Sequence, residues 1–122
     1  MSLIATQALS ILNELFPPPP MRRVVAEHYI LYKGTKLYFD FYIPEYSLFV
    51  ECQGQQHFNF VPHFHGDASG YKDQKKRDNL KIEYIQDNNL YLVYLNYNEI
   101  ITKDLLYTKI HKAMDDNLNI CR

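Results

Sequence analysis

The alternation of apolar and polar residues over 37–53 predicts two β-strands joined by a short turn. Successive side chains of a strand point to opposite faces of the sheet. On the first strand, one face should carry Leu37, Phe39, Phe41 and Ile43. On the second strand, one face should carry Leu48, Val50 and Cys52. The opposite faces then carry Tyr38, Asp40 and Tyr42 on the first strand and Phe49, Glu51 and Gln53 on the second.

The position of the turn predicts which residues of the two strands face each other. If residues 44–47 form the turn, Ile43 pairs with Leu48, and Asp40 lies opposite Glu51. Side chains at directly opposed positions are about 5 Å apart, so the two carboxylates repel each other unless a cation lies between them. Mg²⁺ is commonly held by one or two carboxylates together with a substrate phosphate. The pattern predicts a metal site, although a solvent-exposed sheet face with scattered polar groups is the alternative.

Helical and strand spacing in the rest of the chain predicts the elements around this strand pair. Four consecutive prolines at 17–20 end the first helix, and a Gly-, Gln- and His-rich loop is expected over 54–70. The predicted elements are a helix over 3–16, a strand over 21–32, a charged helix over 71–88, a strand over 90–96 and a last helix over 105–114. The order α-β-β-β-α-β-α predicts an α/β (α+β) domain over 1–122, with a mixed four-stranded sheet flanked by helices.

Charge and cysteine content restrict the classes of partner. The 122 residues carry a formal net charge of −1, so contact with a polyanion requires a local cluster of cations. The two cysteines form no disulfide framework, which favours a reducing, cytoplasmic setting. No apolar run is long enough to span a membrane, and no signal-peptide pattern opens the sequence, so we expect no membrane partner.

Three further residues are candidates for chemistry beside the carboxylate pair. Gln53 shares the predicted face of Glu51, and His57 follows where the chain leaves that strand. Taken alone, His57 also fits a hydrogen-bonding role within the loop. Asp78 lies on the apolar stripe of the charged helix with Ile85, so its carboxylate should point inward and need a partner, unless it lies at the exposed edge of that stripe.

The charged helix also carries the densest cluster of cations in the sequence. Such a cluster is either a solvated surface or, beside a metal site, a contact for nucleic-acid phosphates. The predicted nucleic-acid-binding residues are Lys72, Lys75, Lys76, Arg77 and Lys81, with Arg22 and Arg23 after the prolines as an extension.

Three segments, FDFYIP at 39–44, VECQGQQHF at 50–58 and KRDNLK at 76–81, resemble the PD-(D/E)XK nuclease superfamily. The similarity is greatest to homing endonucleases of phages and introns and to very short patch repair endonucleases. The resemblance implies a restriction-endonuclease-like core in which Asp40, Glu51 and the backbone carbonyl of Cys52 bind the metal. In the repair-type branch a histidine and an aspartate join the site, and His57 and Asp78 match those positions.

The chain departs from the superfamily pattern at two points. Gln53 stands where the motif has lysine, so a cation that would orient or activate water is missing there, although an amide can still position water by hydrogen bonds. His57 or Lys81 would then assist proton transfer. The first helix of the superfamily supplies a glutamate, and both Gln7 and Glu14 are candidates for that position.

The resulting expectation is a Mg²⁺-dependent endonuclease, with Mn²⁺ as a substitute, that makes site-directed, homing-type cuts in double-stranded DNA as a homo-oligomer (dimer or tetramer). Asp40 and Glu51 bind the metal, Gln53 orients the attacking water, and His57 with Asp78 assists proton transfer. Replacement of the motif lysine favours an alternative, a catalytically impaired nucleic-acid-binding module of the same fold. A third possibility is an assembly protein that associates through its tyrosine-rich surface.

Overall fold

A five-stranded mixed sheet with helices on both faces forms the centre of the computed structural model, which describes residues 2–16, 24–54, 68–115 and 118–122. The strands follow one another across the sheet in chain order. The elements are α1 (Leu3–Leu15), β1 (Val25–Tyr32), β2 (Thr35–Ile43), β3 (Leu48–Gln53), α2 (Ala68–Asp87), β4 (Tyr91–Asn96), α3 (Lys103–Asp115) and β5 (Ile120–Cys121). The predicted α+β class, with a mixed sheet flanked by helices, is confirmed; the restriction-endonuclease-like arrangement stays a prediction.

The predicted strand count of four is wrong, because β5 adds a fifth strand. It pairs in parallel with β4 through Leu92 with Ile120 and Val93 with Cys121. A strand of two residues is too short to produce a detectable alternation of apolar and polar positions. Its presence brings the segment that follows α3 next to β4.

Two tight turns set the antiparallel register of β1, β2 and β3. Lys33 and Gly34 both have positive φ angles, 49° and 77°, and connect the paired residues Tyr32 and Thr35. This two-residue turn matches the right-handed twist of the strands. A 3-10 turn over Pro44–Tyr46 leads into β3, and Ile43 pairs with Leu48 as predicted. The parallel pairs β3–β4 and β4–β5 are connected by segments that contain α2 and α3.

The two faces of the sheet carry separate hydrophobic clusters. On one face α1 and α3 cover a cluster that includes Leu48 and Val50, and on the other α2 packs through Ile85 on a cluster that includes Phe49. The predicted alternation along β3 is therefore confirmed. β4 is buried on both faces over Leu92–Leu95, as expected of a central strand.

The predicted alternation along β2 is wrong at one point. Phe41 lies on the α1 and α3 face, whereas Phe39 lies on the α2 face with its ring centroid 4.5 Å from that of Phe49. The change of face falls at Asp40. Glu27, which lies opposite Asp40 in the register, has a φ angle of 54°, and the β1–β2 pairing skips both residues. This local distortion frees the backbone of Asp40 from the ladder.

Candidate active site

The side chains of Asp40 and Glu51 each accept a hydrogen bond from a backbone N–H of the neighbouring strand. The Asp40 N–H donates to Glu51 Oε1 at 3.0 Å, and the Cys52 N–H donates to Asp40 Oδ2 at 2.7 Å. The backbone pairing of β2 with β3 ends at Phe41 and Val50, so these side-chain bonds continue the connection where the ladder stops. The structure thus brings together the two carboxylates that the sequence places opposite each other.

Helix α2 adds a cation to this pair. Residues 78, 81 and 85 recur at helical spacing and face the sheet, where Ile85 is fully buried. Lys81 is only 9% exposed, and its Nζ forms an ion pair with Glu51 Oε2. The same ammonium lies 5.3 Å from the centroid of the Phe39 ring. Lys81 therefore belongs to the carboxylate pair, unlike the exposed cations of α2.

Burial dominates the ionisation of Glu51. It raises the pKa of this carboxyl to about 8; the ion pair with Lys81 lowers it, and the neighbouring Asp40 raises it further. Loss of hydration thus destabilises the charged carboxylate more than the ion pair with Lys81 stabilises it. Burial, followed by the charges of Asp40 and Glu51, also raises the pKa of the Cys52 thiol. Its sulfur is then a protonated thiol, and the backbone carbonyl is the atom of Cys52 suited to a hard cation.

A buried tyrosine and an arginine extend the site across the sheet. Tyr94 pairs with Glu51 in the β3–β4 register, and the guanidinium of Arg122 lies 5.4 Å from the Tyr94 ring centroid. Burial raises the pKa of the Tyr94 hydroxyl; Arg122 lowers it, and the charges of Glu51 and Asp78 raise it. The half-buried Asp78 therefore faces the same region as Glu51, as its helical position predicts.

Sequence reasoning missed Tyr94 and Arg122 as members of this group. Tyr94 stands in an apolar strand and looks like an ordinary core aromatic, and Arg122 is an isolated cation. Neither residue has a motif of its own. The parallel register of β3, β4 and β5 is the signal that connects them to Glu51.

The remaining candidates lie at the end of β3, on α1 or outside the described residues. Gln53 is buried at the end of β3, where its carbonyl accepts the Tyr97 N–H at 2.8 Å. Glu14 is exposed on α1 and lies 3.9 Å from Lys103, on the face of the sheet opposite to α2. Gln7 is also exposed on α1. His57, Arg22 and Arg23 lie outside the described residues.

The remaining cations of α2 form an accessible surface. Lys72, Lys76 and Arg77 are exposed, and the half-buried Lys75 has its ammonium 5.7 Å from the Tyr71 ring centroid. A groove of about 400 Å³ runs along this part of the helix, and its lining residues are Tyr71, Lys72, Lys75, Lys76, Asn79, Leu80 and Glu83. This surface carries side-chain types, lysine, arginine and tyrosine, that contact phosphates in protein–DNA complexes.

A second cavity, of about 340 Å³, reaches Asp40 and is lined by Glu27, Tyr38, Phe39 and Asp40. Within the described ranges, no group of three or more His, Cys, Asp or Glu side chains is arranged to hold a metal ion. Asp40 and Glu51 carry oxygen donors, which are the ligand type that Mg²⁺ takes together with water and a phosphate.

Part of the chain is similar to a viral protein. No protein-family model matches the chain. A stretch of 71 residues, 58% of the chain, is 38% identical to a protein of Invertebrate iridescent virus 6 named "Uncharacterized protein 307L". The chain spans about a third of that relative's length, since the match covers 36% of it. Among the helices that the structure describes, none has the length and apolarity needed to cross a membrane.

Proposed function

We propose that the chain is a Mg²⁺-dependent endonuclease that hydrolyses phosphodiester bonds in double-stranded DNA, with Mn²⁺ as a substitute. The observation that carries the proposal is the hydrogen bonding of the Asp40 and Glu51 side chains across β2 and β3, beside a buried lysine. Oxygen donors in this number hold a magnesium ion together with a substrate phosphate. The resemblance of residues 39–58 and 76–81 to PD-(D/E)XK nucleases supports the same chemistry.

Asp40, Glu51 and the Cys52 carbonyl would hold the metal, which supplies Lewis acidity at the phosphate and a water of lowered pKa. Lys81 provides positive charge at Glu51 from α2, and this charge replaces the lysine that is absent at Gln53. An ammonium beside the metal-binding carboxylate stabilises negative charge that develops on the phosphate in the transition state. The Gln53 amide orients the attacking water through hydrogen bonds.

The other predicted residues complete this proposal. Asp78 and His57 assist proton transfer, and the exposed cations of α2, extended by Arg22 and Arg23, hold the DNA backbone. A domain of 122 residues covers few base pairs, so a double-strand cut at a defined site favours a dimer or tetramer. Both Cys52 and Cys121 are free thiols, in line with a cytoplasmic setting.

The direct test is cleavage of plasmid and linear duplex DNA in Mg²⁺ or Mn²⁺ by purified protein. Asp40→Asn and Glu51→Gln preserve side-chain shape and should each reduce cleavage by at least about a hundredfold, because substitutions of metal-supporting residues already cost about tenfold to a hundredfold. Glu45→Gln, on the exposed 3-10 turn of the same hairpin, is the matched control and should cleave normally. Full activity of both site variants would exclude the assigned site.

One observation favours a second candidate, a nucleic-acid-binding module without catalysis. The Lys81 ammonium already occupies Oε2 of Glu51, so the site has an internal cation before any metal binds. This candidate predicts DNA retention that needs no divalent ion, together with no cleavage in Mg²⁺, Mn²⁺ or Ca²⁺. Cleavage by the wild type separates the two proposals. If the wild type cleaves, Lys81→Met should reduce that cleavage and leave DNA retention through the exposed cations of α2 unchanged.

A further inference from the structure

Arg122 lies in the same transverse row of the sheet as Glu51. Glu51 pairs with Tyr94 across β3 and β4, and Val93 pairs with Cys121 across β4 and β5. The residue after Cys121 therefore falls beside Tyr94, and the 5.4 Å separation between the Arg122 guanidinium and the Tyr94 ring agrees with that position. The row thus continues from the carboxylate pair over a buried aromatic ring to a cation.

The two cations near the carboxylate pair differ in how they are engaged. Lys81 is buried and committed to Glu51 by an ion pair. Arg122 is exposed, and no carboxylate of a described side chain lies within ion-pair distance of it. Its charge nevertheless acts on the Tyr94 hydroxyl, on which Glu51 and Asp78 also act. Arg122 is therefore an accessible cation beside Tyr94, which lies between it and Glu51 in this row.

The chemistry of the guanidinium determines the ligand that fits there. Its planar fork of N–H donors matches two oxygens of a phosphate, and stacking on an aromatic ring limits its orientations before the ligand arrives. Cation–π contact with Tyr94 satisfies one face of the group and leaves the N–H edges available.

We propose that Arg122 binds the non-bridging oxygens of the phosphodiester that is presented to Asp40 and Glu51. This inference rests on the proposed function, since it assigns a substrate contact at the same site. Arg122 would act through its fork of donors in addition to its charge. A lysine at this position should therefore replace it only in part.

The experiment compares Arg122→Ala, Arg122→Lys and the control Lys112→Ala, an exposed cation on α3. Binding of a short DNA duplex is measured in Ca²⁺ over a range of salt concentrations, and cleavage is measured in Mg²⁺. Arg122→Ala should weaken binding about tenfold and reduce the slope of log affinity against log salt by about one contact, with a raised KM. Arg122→Lys should restore the slope but only part of the affinity, and Lys112→Ala should match the wild type.

The outcomes distinguish this inference from the proposed function. If the wild type cleaves DNA and Arg122→Ala binds and cleaves equally well, the Arg122 assignment is wrong and the proposed function stands. If Arg122→Lys is as weak as Arg122→Ala in both affinity and slope, a charge contact to phosphate is refuted. If the wild type neither binds nor cleaves DNA, both proposals fail. Thermal unfolding of each variant establishes that the fold is intact.

Discussion

Glu51 should give the folded protein a pH-dependent stability of defined sign. Burial raises the pKa of its carboxyl from 4.5 to about 8. Between these values the folded state holds a proton that the unfolded state has released. The free energy of unfolding therefore falls as pH rises through this window. Glu51→Gln removes the titrating group and keeps its shape, so the variant should lose this part of the pH dependence.

The size of this change in the free energy of unfolding is limited by the single proton that Glu51 binds. A single group changes the free energy of unfolding by at most about 1.4 kcal/mol per pH unit, and over the window from 4.5 to about 8 the total is at most about 5 kcal/mol. Relative to Glu51→Gln, the wild type should lose stability by this order of magnitude between mildly acidic and mildly alkaline pH. Below the window, where Glu51 is protonated, the wild type and the Glu51→Gln variant should behave alike.

Urea unfolding of both proteins at several pH values measures this difference directly, because all other titrating groups are shared and cancel. Glu45→Gln, at an exposed position, controls for the loss of a carboxylate and should follow the wild-type curve. A wild-type curve parallel to that of Glu51→Gln would show that folding does not shift the pKa of Glu51, and the reasoning from burial would be refuted.

The same carboxyl makes metal binding pH-dependent. A metal ion requires the ionised form, so Mg²⁺ must displace the proton. The apparent affinity for Mg²⁺ should therefore rise about tenfold per pH unit below about 8 and level off above it. The stabilisation of the wild type by Mg²⁺ in thermal unfolding reports this affinity, and an affinity that is constant with pH would argue against Glu51 as a ligand.

Two further predictions concern the scaffold. Lys109→Met should lower the free energy of unfolding by about 3 kcal/mol, because the buried ammonium donates to the Tyr94 carbonyl at 2.6 Å and to Glu99 Oε1 at 2.7 Å. The control Lys112→Met, on the exposed side of α3, should change the free energy of unfolding by less than about 0.5 kcal/mol. Equal urea midpoints for the two variants would contradict this prediction. Gly34→Ala should lower the free energy of unfolding by about 1–2 kcal/mol, because a φ angle of 77° is unfavourable for a residue with a Cβ. No atom lies within 4 Å of the added Cβ, so backbone strain is the whole of the expected effect. An unchanged melting temperature would contradict this explanation.

The register of the β2–β3 hairpin was predictable because turn length and alternation both determine it. Ile43 pairs with Leu48 as the turn at 44–47 requires, and this brings Asp40 and Glu51 together. The change of face at Asp40 was not predictable from β2 alone. It accompanies the positive φ angle of Glu27 on the neighbouring strand, and therefore depends on a tertiary pairing that a single segment does not reveal.

The environment of Lys81 was hidden for a different reason. Its spacing from Asp78 and Ile85 already places it on the inward side of α2, but a lysine within a run of cations is typical of a solvated surface. The ion pair depends on Glu51, which is thirty residues earlier in the chain. Local periodicity could indicate the direction of the side chain, and only the packing of α2 on the sheet supplies its partner.

Two buried lysines of this protein each pair with a glutamate, and the two pairs differ in a way that bears on function. Burial acts to raise the pKa of Glu99, but hydrogen bonds from Lys109 and from the Asn96 backbone outweigh it, so that the pKa is lowered. The ionised form of Glu99 is therefore favoured, and this ion pair stabilises the fold. Glu51 has a lysine at similarly close range, yet its pKa is raised because it is more deeply buried and has Asp40 beside it. A fold gains little from a carboxyl in such a position, since apolar side chains would fill the same space at lower cost. A second cation at Asp40 and Glu51, such as the metal ion proposed here, would stabilise the ionised form of both carboxyls.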